Sequence, residues 1–204
     1  MNFTTTAWKI FNQAIADFHV LDNVQTPVEN PYPKDSLEHL LYAKNWIDTV
    51  QWHLEDIIRD ENIDPIEALK LKRTIDTSNQ KRTDLVEFID SWFLNRYQAI
   101  TPDRDAKINT ETPAWAVDRL SILALKIYHM HQETQRESAT EDHREKCRAK
   151  LAVLIEQHSD LTTAIDQLLT DIENGFVKMK VYKQMKMYND ESLNPILYQN
   201  NKNA

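Results

Sequence analysis

Hydrophobic residues recur every three or four positions over most of this 204-residue chain, which is the spacing of amphipathic α-helices. Capping signals mark several helix starts: Asp35 with Glu38 three residues later, and Asp64 and Thr112 each followed by a proline. Helices are therefore predicted over Thr5–Leu21, from Asp35 onward, over Asp64–Arg96, Ala114–Gln135 and Leu151–Ile172, with a short last helix or arm over Phe176–Tyr188.

The segment Ala114–Gln135 is apolar nearly all round, so we expect it to be the buried central helix of a bundle. The chain has one glycine, Gly175, whereas Rossmann fingerprints, P-loops and tight hairpins depend on several. The predicted fold is a single all-α domain, residues 1–204, of five or six helices. We expect its C-terminal tail, residues 190–204, to be frayed.

Charge and composition limit the kinds of molecule that this protein is expected to bind and the compartment in which it is expected to work. The net charge is −8, which argues against a general nucleic-acid binder. Apolar runs are too short for a membrane span, and the N-terminal residues do not form a signal peptide, so a cytoplasmic protein is expected. The single cysteine, Cys147, excludes an internal disulfide and is interpreted as a thiol on a charged helix.

Polar side chains at helical spacing concentrate on the second and third predicted helices. Trp52 lies in the middle of a polar face, so a second surface is expected to cover it. Arg82 projects from an apolar arc, which predicts a buried acidic or amide partner such as Asp118. His53 and His129 are interpreted as packing residues, because isolated histidines are more often that than ligands.

The motifs that carry a family resemblance lie mainly in these two helices. They are NWID at 45–48, QWHLED at 51–56, KRTID at 72–76, NQKRTD at 79–84, EFID at 87–90, NTETP at 109–113 and DRLSIL at 118–123. With them, nearly the whole chain resembles a bacterial family described only as domain of unknown function 4254. The resemblance implies no established activity.

A looser likeness is to the all-α nucleotide pyrophosphohydrolases, which hold Mg²⁺ between acidic pairs on adjacent helices. Glu87 and Asp90 match the second pair of that pattern, whereas Glu55 and Asp56 depart from it because they are adjacent. The likeness implies a Mg²⁺ site formed by Glu55, Asp56, Glu87 and Asp90, with Asp56, Glu87 and Asp90 also catalytic. The candidate side chains for contacting the ligand are Arg59, Arg73, Asn79 and Lys126.

Two functions remain open. The first is a Mg²⁺-assisted phosphohydrolase acting on a nucleotide or another phosphorylated small molecule. The second is a non-enzymatic helical partner of another protein, in cell-envelope sugar assembly, for which the same polar residues would form a structural network. That network would include Asp76, Asn79, Arg82, Asp118, Arg119 and His129.

Overall fold

Five long α-helices make up most of the computed structural model, which describes residues 2–183 and 191–193. They are α1 (Phe3–Leu21), α2 (Leu37–Ile57), α3 (Pro65–Tyr97), α4 (Pro113–Gln135) and α5 (Glu141–Glu173). The predicted all-α bundle is confirmed. α5 begins ten residues before the predicted start, because the charged stretch that precedes Leu151 continues the same helix.

The capping residues act largely as predicted. Asp64 accepts hydrogen bonds from the backbone N–H groups of Ile66 and Glu67, and Thr112 accepts one from Trp115. The prediction for α2 was wrong by one residue, because Ser36 rather than Asp35 caps the helix and accepts from the His39 N–H group. These bonds satisfy donors that have no partner within the helix.

Helix α4 lies at the centre of the bundle and packs against the other four helices. Its Val117, Leu120, Ala124 and Leu125 side chains are almost completely buried, which confirms the predicted central helix. α2 and α3 form an antiparallel pair joined by the short segment 58–64. One face of this pair packs on α4, and that contact positions the polar residues described below.

Of the two alternatives predicted over Phe176–Tyr188, a short helix or an arm, the helix is wrong over the described part. Residues 177–178 instead form a strand, β2 (Val177–Lys178), that pairs in parallel with β1 (Lys107–Ile108). Gly175 permits this turn, because it has a φ of 80° and a Cβ there would lie 3.2 Å from the Thr101 carbonyl oxygen.

Residues 184–188 lie outside the described part of the chain. The tail predicted over 190–204 also lies outside it, apart from one 3₁₀ turn at Glu191–Leu193. Over the described ranges, 2–183 and 191–193, no helix combines the length and apolar character that a membrane crossing requires.

Candidate functional site

Arg82 on α3 forms ion pairs with carboxylates of two other helices. Its Nε donates to Asp48 Oδ1 on α2 at 2.6 Å, and its NH2 nitrogen donates to both oxygens of Asp118 on α4, at 2.9 and 3.0 Å. Burial disfavours the charged guanidinium, but Asp48 and Asp118 outweigh burial and raise the pKa of Arg82 above its usual value. The predicted Arg82–Asp118 pair is confirmed.

Lys44 on α2 adds a second cation to this network, with its side chain fully buried. Its Nζ donates to Asp48 Oδ2 and lies 2.8 Å from Asp118 Oδ1. Ser121 Oγ donates to Asp48 Oδ2 at 2.6 Å and accepts from Asn45 Nδ2 at 3.0 Å. Two cations and two carboxylates thus balance one another, which allows four charged groups to be buried together.

The sequence-predicted site did not contain Lys44. A signal for it exists, because Lys44 precedes Asp48 by four residues and the two side chains therefore lie on one face of a helix. That face packs against Asp118 and Ser121 of the apolar central helix. The contact between the two helices comes from tertiary packing, so the local spacing of residues does not reveal it.

A polar pocket of about 320 Å³ opens above this network, between α2, α3 and α4. Asp48 and Arg82 form part of its wall, together with Gln51, Trp52, Glu55, Arg59, Asn79, Ile122 and Leu125. Glu55, Arg59 and Asn79 are three of the residues predicted for the site, and the structure brings them together here. Trp52 is covered as predicted, because its indole stacks on the His129 ring with a centroid separation of 4.7 Å.

The residues that line the pocket carry both hydrogen-bond donors and acceptors. Gln51 Nε2 donates to Glu55 Oε1 at 3.0 Å, whereas Gln51 Oε1 is buried without a hydrogen-bond partner among the described residues. Arg82 keeps 25% of its side chain exposed. Its guanidinium therefore contacts the buried carboxylates on one side and the pocket on the other. A buried acceptor without a partner indicates a position where a donor from a bound molecule or water would be favourable.

Glu87 and Asp90 lie far from this pocket. The Asp48–Arg82 contact fixes the register of the antiparallel α2–α3 pair. Glu55 is seven residues beyond Asp48, and Glu87 is five residues beyond Arg82 in the opposite direction along the pair. At 1.5 Å per residue the two carboxylates are separated by about 18 Å along the helix axes. The structure therefore does not bring the four predicted Mg²⁺ ligands to one site.

Asp90 is instead buried beside the first turn of α4, with only 2% of its surface exposed. Burial raises its pKa to about 6, and interactions with the Thr112 hydroxyl and the Ala114 N–H group offset part of that rise. The Thr112 hydroxyl also caps α4, so Asp90 belongs to the helix start rather than to the pocket. Its Oδ1 atom has no hydrogen-bond partner in the described part of the chain.

The remaining predicted residues lie at or near the surface. Asp56 pairs with Arg59 at 2.8 Å, and Arg73 lines a separate apolar groove between α2 and α3. Lys126 is exposed on α4, four residues after Ile122 of the pocket wall.

Two members of the proposed structural network are also at the surface, and they pair elsewhere. Asp76 pairs with the exposed Lys72 on its own helix. Arg119 pairs with Glu111, at 3.2 Å.

Three histidines that the sequence does not connect are brought together by the fold. His19, His53 and His129 come from α1, α2 and α4 and contribute one ring nitrogen each to a cluster whose atoms all lie within 4.8 Å of one another. They are more than 30 residues apart in sequence, so no local motif marks them. His53 and His129 are therefore not isolated, although both rings also pack on aromatic side chains as predicted, His53 on Phe18 and His129 on Trp52.

Cys147 also has an unpredicted environment. It is buried, and its Sγ lies 3.3 Å from Nε2 of His143, which is 2.8 Å from Glu133 Oε2. The cysteine therefore faces α4 rather than lying on an exposed charged surface.

Comparisons with known proteins agree with the family resemblance. Searches of curated proteins and of solved structures found no match, and nothing in the comparisons supports the likeness to nucleotide pyrophosphohydrolases. One family model matches residues 38–181, which include α2 except its first residue and all of α3, α4 and α5, and therefore the whole buried network and pocket. The chain belongs to the family described as "Protein of unknown function (DUF4254)".

Proposed function

We propose that this protein binds a phosphorylated small molecule in the polar pocket and hydrolyses it with the help of Mg²⁺. The observation that carries the proposal is the convergence of Arg59, Arg82, Asn79 and Glu55 on one pocket. Guanidinium and amide N–H groups are suited to phosphate oxygens, and a pocket of about 320 Å³ has the size of a small-molecule site.

Glu55 is the pocket carboxylate best suited to hold Mg²⁺. Asp48 accepts hydrogen bonds from Arg82, Lys44 and Ser121, so its oxygens are occupied by protein donors. Glu55 bonds only a neutral amide, that of Gln51, among the hydrogen bonds of the described residues. Mg²⁺ is often held by one or two carboxylates together with substrate phosphates and water, which a single glutamate can satisfy.

The chemical role of the metal follows from its charge. Mg²⁺ bound with the substrate would neutralise phosphate charge and position a water molecule for attack on phosphorus. Arg82 would contribute a second positive charge that is already fixed by Asp48 and Asp118, so it needs no reorganisation when the ligand binds.

Calorimetric titration with pyrophosphate and with ATP, each with and without Mg²⁺, tests this proposal. We expect Mg²⁺ to tighten binding to the wild type, and Glu55→Gln to remove that gain while leaving metal-free binding unchanged. Arg59→Gln should weaken binding about tenfold in both conditions, because one charge-assisted contact is lost. Phosphate release should occur only with Mg²⁺.

The matched control is Glu61→Gln, which neutralises an exposed glutamate that does not line the pocket. It should bind both ligands like the wild type. Absence of binding by the wild type, or equal effects of Glu55→Gln and Glu61→Gln, would contradict the proposal.

A second candidate function rests on an apolar groove along the opposite face of the α2–α3 pair. The groove has a volume of about 1000 Å³ and is lined largely by aliphatic side chains, with Phe88 56% exposed and Ile57 46% exposed. A groove of this kind between two helices suits an amphipathic helix. Lys70, Arg73 and Lys81 outnumber Glu67 and Asp84 around it, so the expected partner is an acidic amphipathic helix.

A fluorescent model peptide with an apolar face of leucines and a glutamate-rich polar face tests this second function. Its anisotropy should rise on adding the protein, and Phe88→Glu should abolish the rise because it places a charge in the groove. The same peptide with lysines replacing its glutamates should bind more weakly. Equal binding of both peptides, or a dimer in sedimentation experiments that Phe88→Glu dissociates, would contradict an acidic partner helix.

A further inference from the structure

We propose that His19, His53 and His129 bind a divalent transition metal of the zinc type, at a site separate from the polar pocket. The three side chains come from α1, α2 and α4, so one ion would connect three helices of the bundle. Imidazole nitrogen is a preferred ligand for Zn²⁺ and similar ions, and three histidines with one further position form a known type of zinc site.

The geometry of the His19–His53 pair matches such an ion. Their Nε2 atoms are 3.3 Å apart. Two nitrogens that bind tetrahedral zinc at 2.0–2.1 Å are separated by about 3.3–3.4 Å, the edge of the tetrahedron. The third ring nitrogen, from His129, lies within 4.8 Å of both, so its ring must come closer to them to reach the same spacing.

The tautomer of His19 is fixed in the form that binds metal. Its Nδ1 lies 2.7 Å from the Ile15 carbonyl oxygen, which can only accept a hydrogen bond. Nδ1 must therefore carry the proton, and in the neutral ring Nε2 then presents a lone pair toward His53. A backbone carbonyl in this role is the common outer partner of metal-binding histidines.

His129 gives an independent indication of a missing ligand. Its Nε2 is buried and has no hydrogen-bond partner among the described residues, although a buried ring nitrogen normally has one. Burial, with the nearby His53 and His19, lowers the pKa of His129 to about 4, and burial also lowers that of His53. Neutral imidazole is the form of histidine that binds a metal ion.

Aspartate supplies the remaining position and the compensating charge. Asp22 Oδ1 lies 3.8 Å from His53 Nε2, and Asp22 is exposed at the end of α1, where its side chain can turn toward the ion. Asp56 also acts electrostatically on both His53 and His129. A dication among three neutral rings is stabilised by these carboxylates, and Asp22 is the fourth ligand of the proposed site.

Metal titration of the full chain in a Cys147→Ser background tests the site. That background removes the thiol of the other cluster, Glu133, His143 and Cys147, which could also hold an ion. We expect one Zn²⁺ per chain by mass spectrometry and calorimetry, and with Co²⁺ the intense visible bands of tetrahedral coordination. Mg²⁺ should not compete, because it prefers oxygen ligands.

Substitution of the ligands gives the decisive comparison. His53→Gln and His129→Gln should each weaken Zn²⁺ binding more than about 100-fold, and Asp22→Asn about tenfold. His158→Gln is the matched control, because His158 is also partly buried, has a lowered pKa and packs on an indole, that of Trp8. It should bind Zn²⁺ as tightly as the background.

Circular dichroism distinguishes lost binding from lost folding, and Asp22→Asn changes an exposed side chain. Failure of the background protein to bind Zn²⁺ would overturn the proposal. The same conclusion would follow if His53→Gln, His129→Gln and His158→Gln bound Zn²⁺ equally. Neither result bears on the polar pocket.

Discussion

Replacing Lys44 with methionine is expected to lower the free energy of unfolding by about 3–5 kcal/mol. The Lys44 side chain is fully buried and contacts both Asp48 and Asp118. Methionine fills a similar volume but carries no charge, so two buried carboxylates would be left with the single guanidinium of Arg82. Urea denaturation followed by circular dichroism measures the loss.

Two further variants identify the cause. Lys44→Met combined with Asp118→Asn restores neutrality, and it should recover most of the lost stability in a double-mutant cycle. Lys72→Met is the surface control, because Lys72 also pairs with an aspartate four residues later, Asp76, but both side chains are at least half exposed. That change should cost less than about 1 kcal/mol. Equal losses for Lys44→Met and Lys72→Met would contradict a buried charge network.

Asp90→Asn is expected to stabilise the protein by roughly 3 kcal/mol at pH 8 and by little at pH 4. This magnitude follows from the raised pKa of Asp90, since each unit of difference in pKa between the folded and unfolded states corresponds to about 1.4 kcal/mol. Burial raises the pKa of Asp90 from its ordinary value of 3.8 to about 6. In the unfolded chain the carboxyl ionises near pH 4, whereas the folded protein keeps it neutral until near pH 6. The penalty is therefore absent at low pH, grows between about pH 4 and pH 6, and is constant above.

Asparagine is neutral at every pH and keeps an oxygen that can accept from Thr112 and the Ala114 N–H group. Urea denaturation of both proteins from pH 4 to pH 8 should therefore give a difference in unfolding free energy that rises and then levels off. A variant that is less stable than the wild type at pH 8 would show that ionised Asp90 stabilises the start of α4 and would contradict a raised pKa for this carboxyl.

Features set by local sequence were predictable. Apolar spacing and capping residues locate the helices, because both depend on neighbours within one or two turns. The pairing of Arg82 with Asp118 was also predictable, since each charge falls on a face that must be buried and therefore needs a partner.

Features set by the packing of distant segments were not predictable. Glu55 and Glu87 both lie on helices of one antiparallel pair, but the register that separates them depends on the contact between Asp48 and Arg82. His19, His53 and His129 become neighbours only when α1, α2 and α4 pack. The β1–β2 pairing joins segments about 70 residues apart, and neither segment by itself indicates its partner.

The most direct test of the polar pocket as a phosphate site is a crystal structure of the protein grown with Mn²⁺ and pyrophosphate. Anomalous scattering locates Mn²⁺, which takes the same oxygen ligands as Mg²⁺. The proposed function predicts an anomalous peak about 2.2 Å from a Glu55 oxygen, with pyrophosphate against Arg59 and Arg82. Pyrophosphate bound elsewhere with Mn²⁺ beside Glu87 and Asp90, or an empty pocket at saturating ligand, would contradict it.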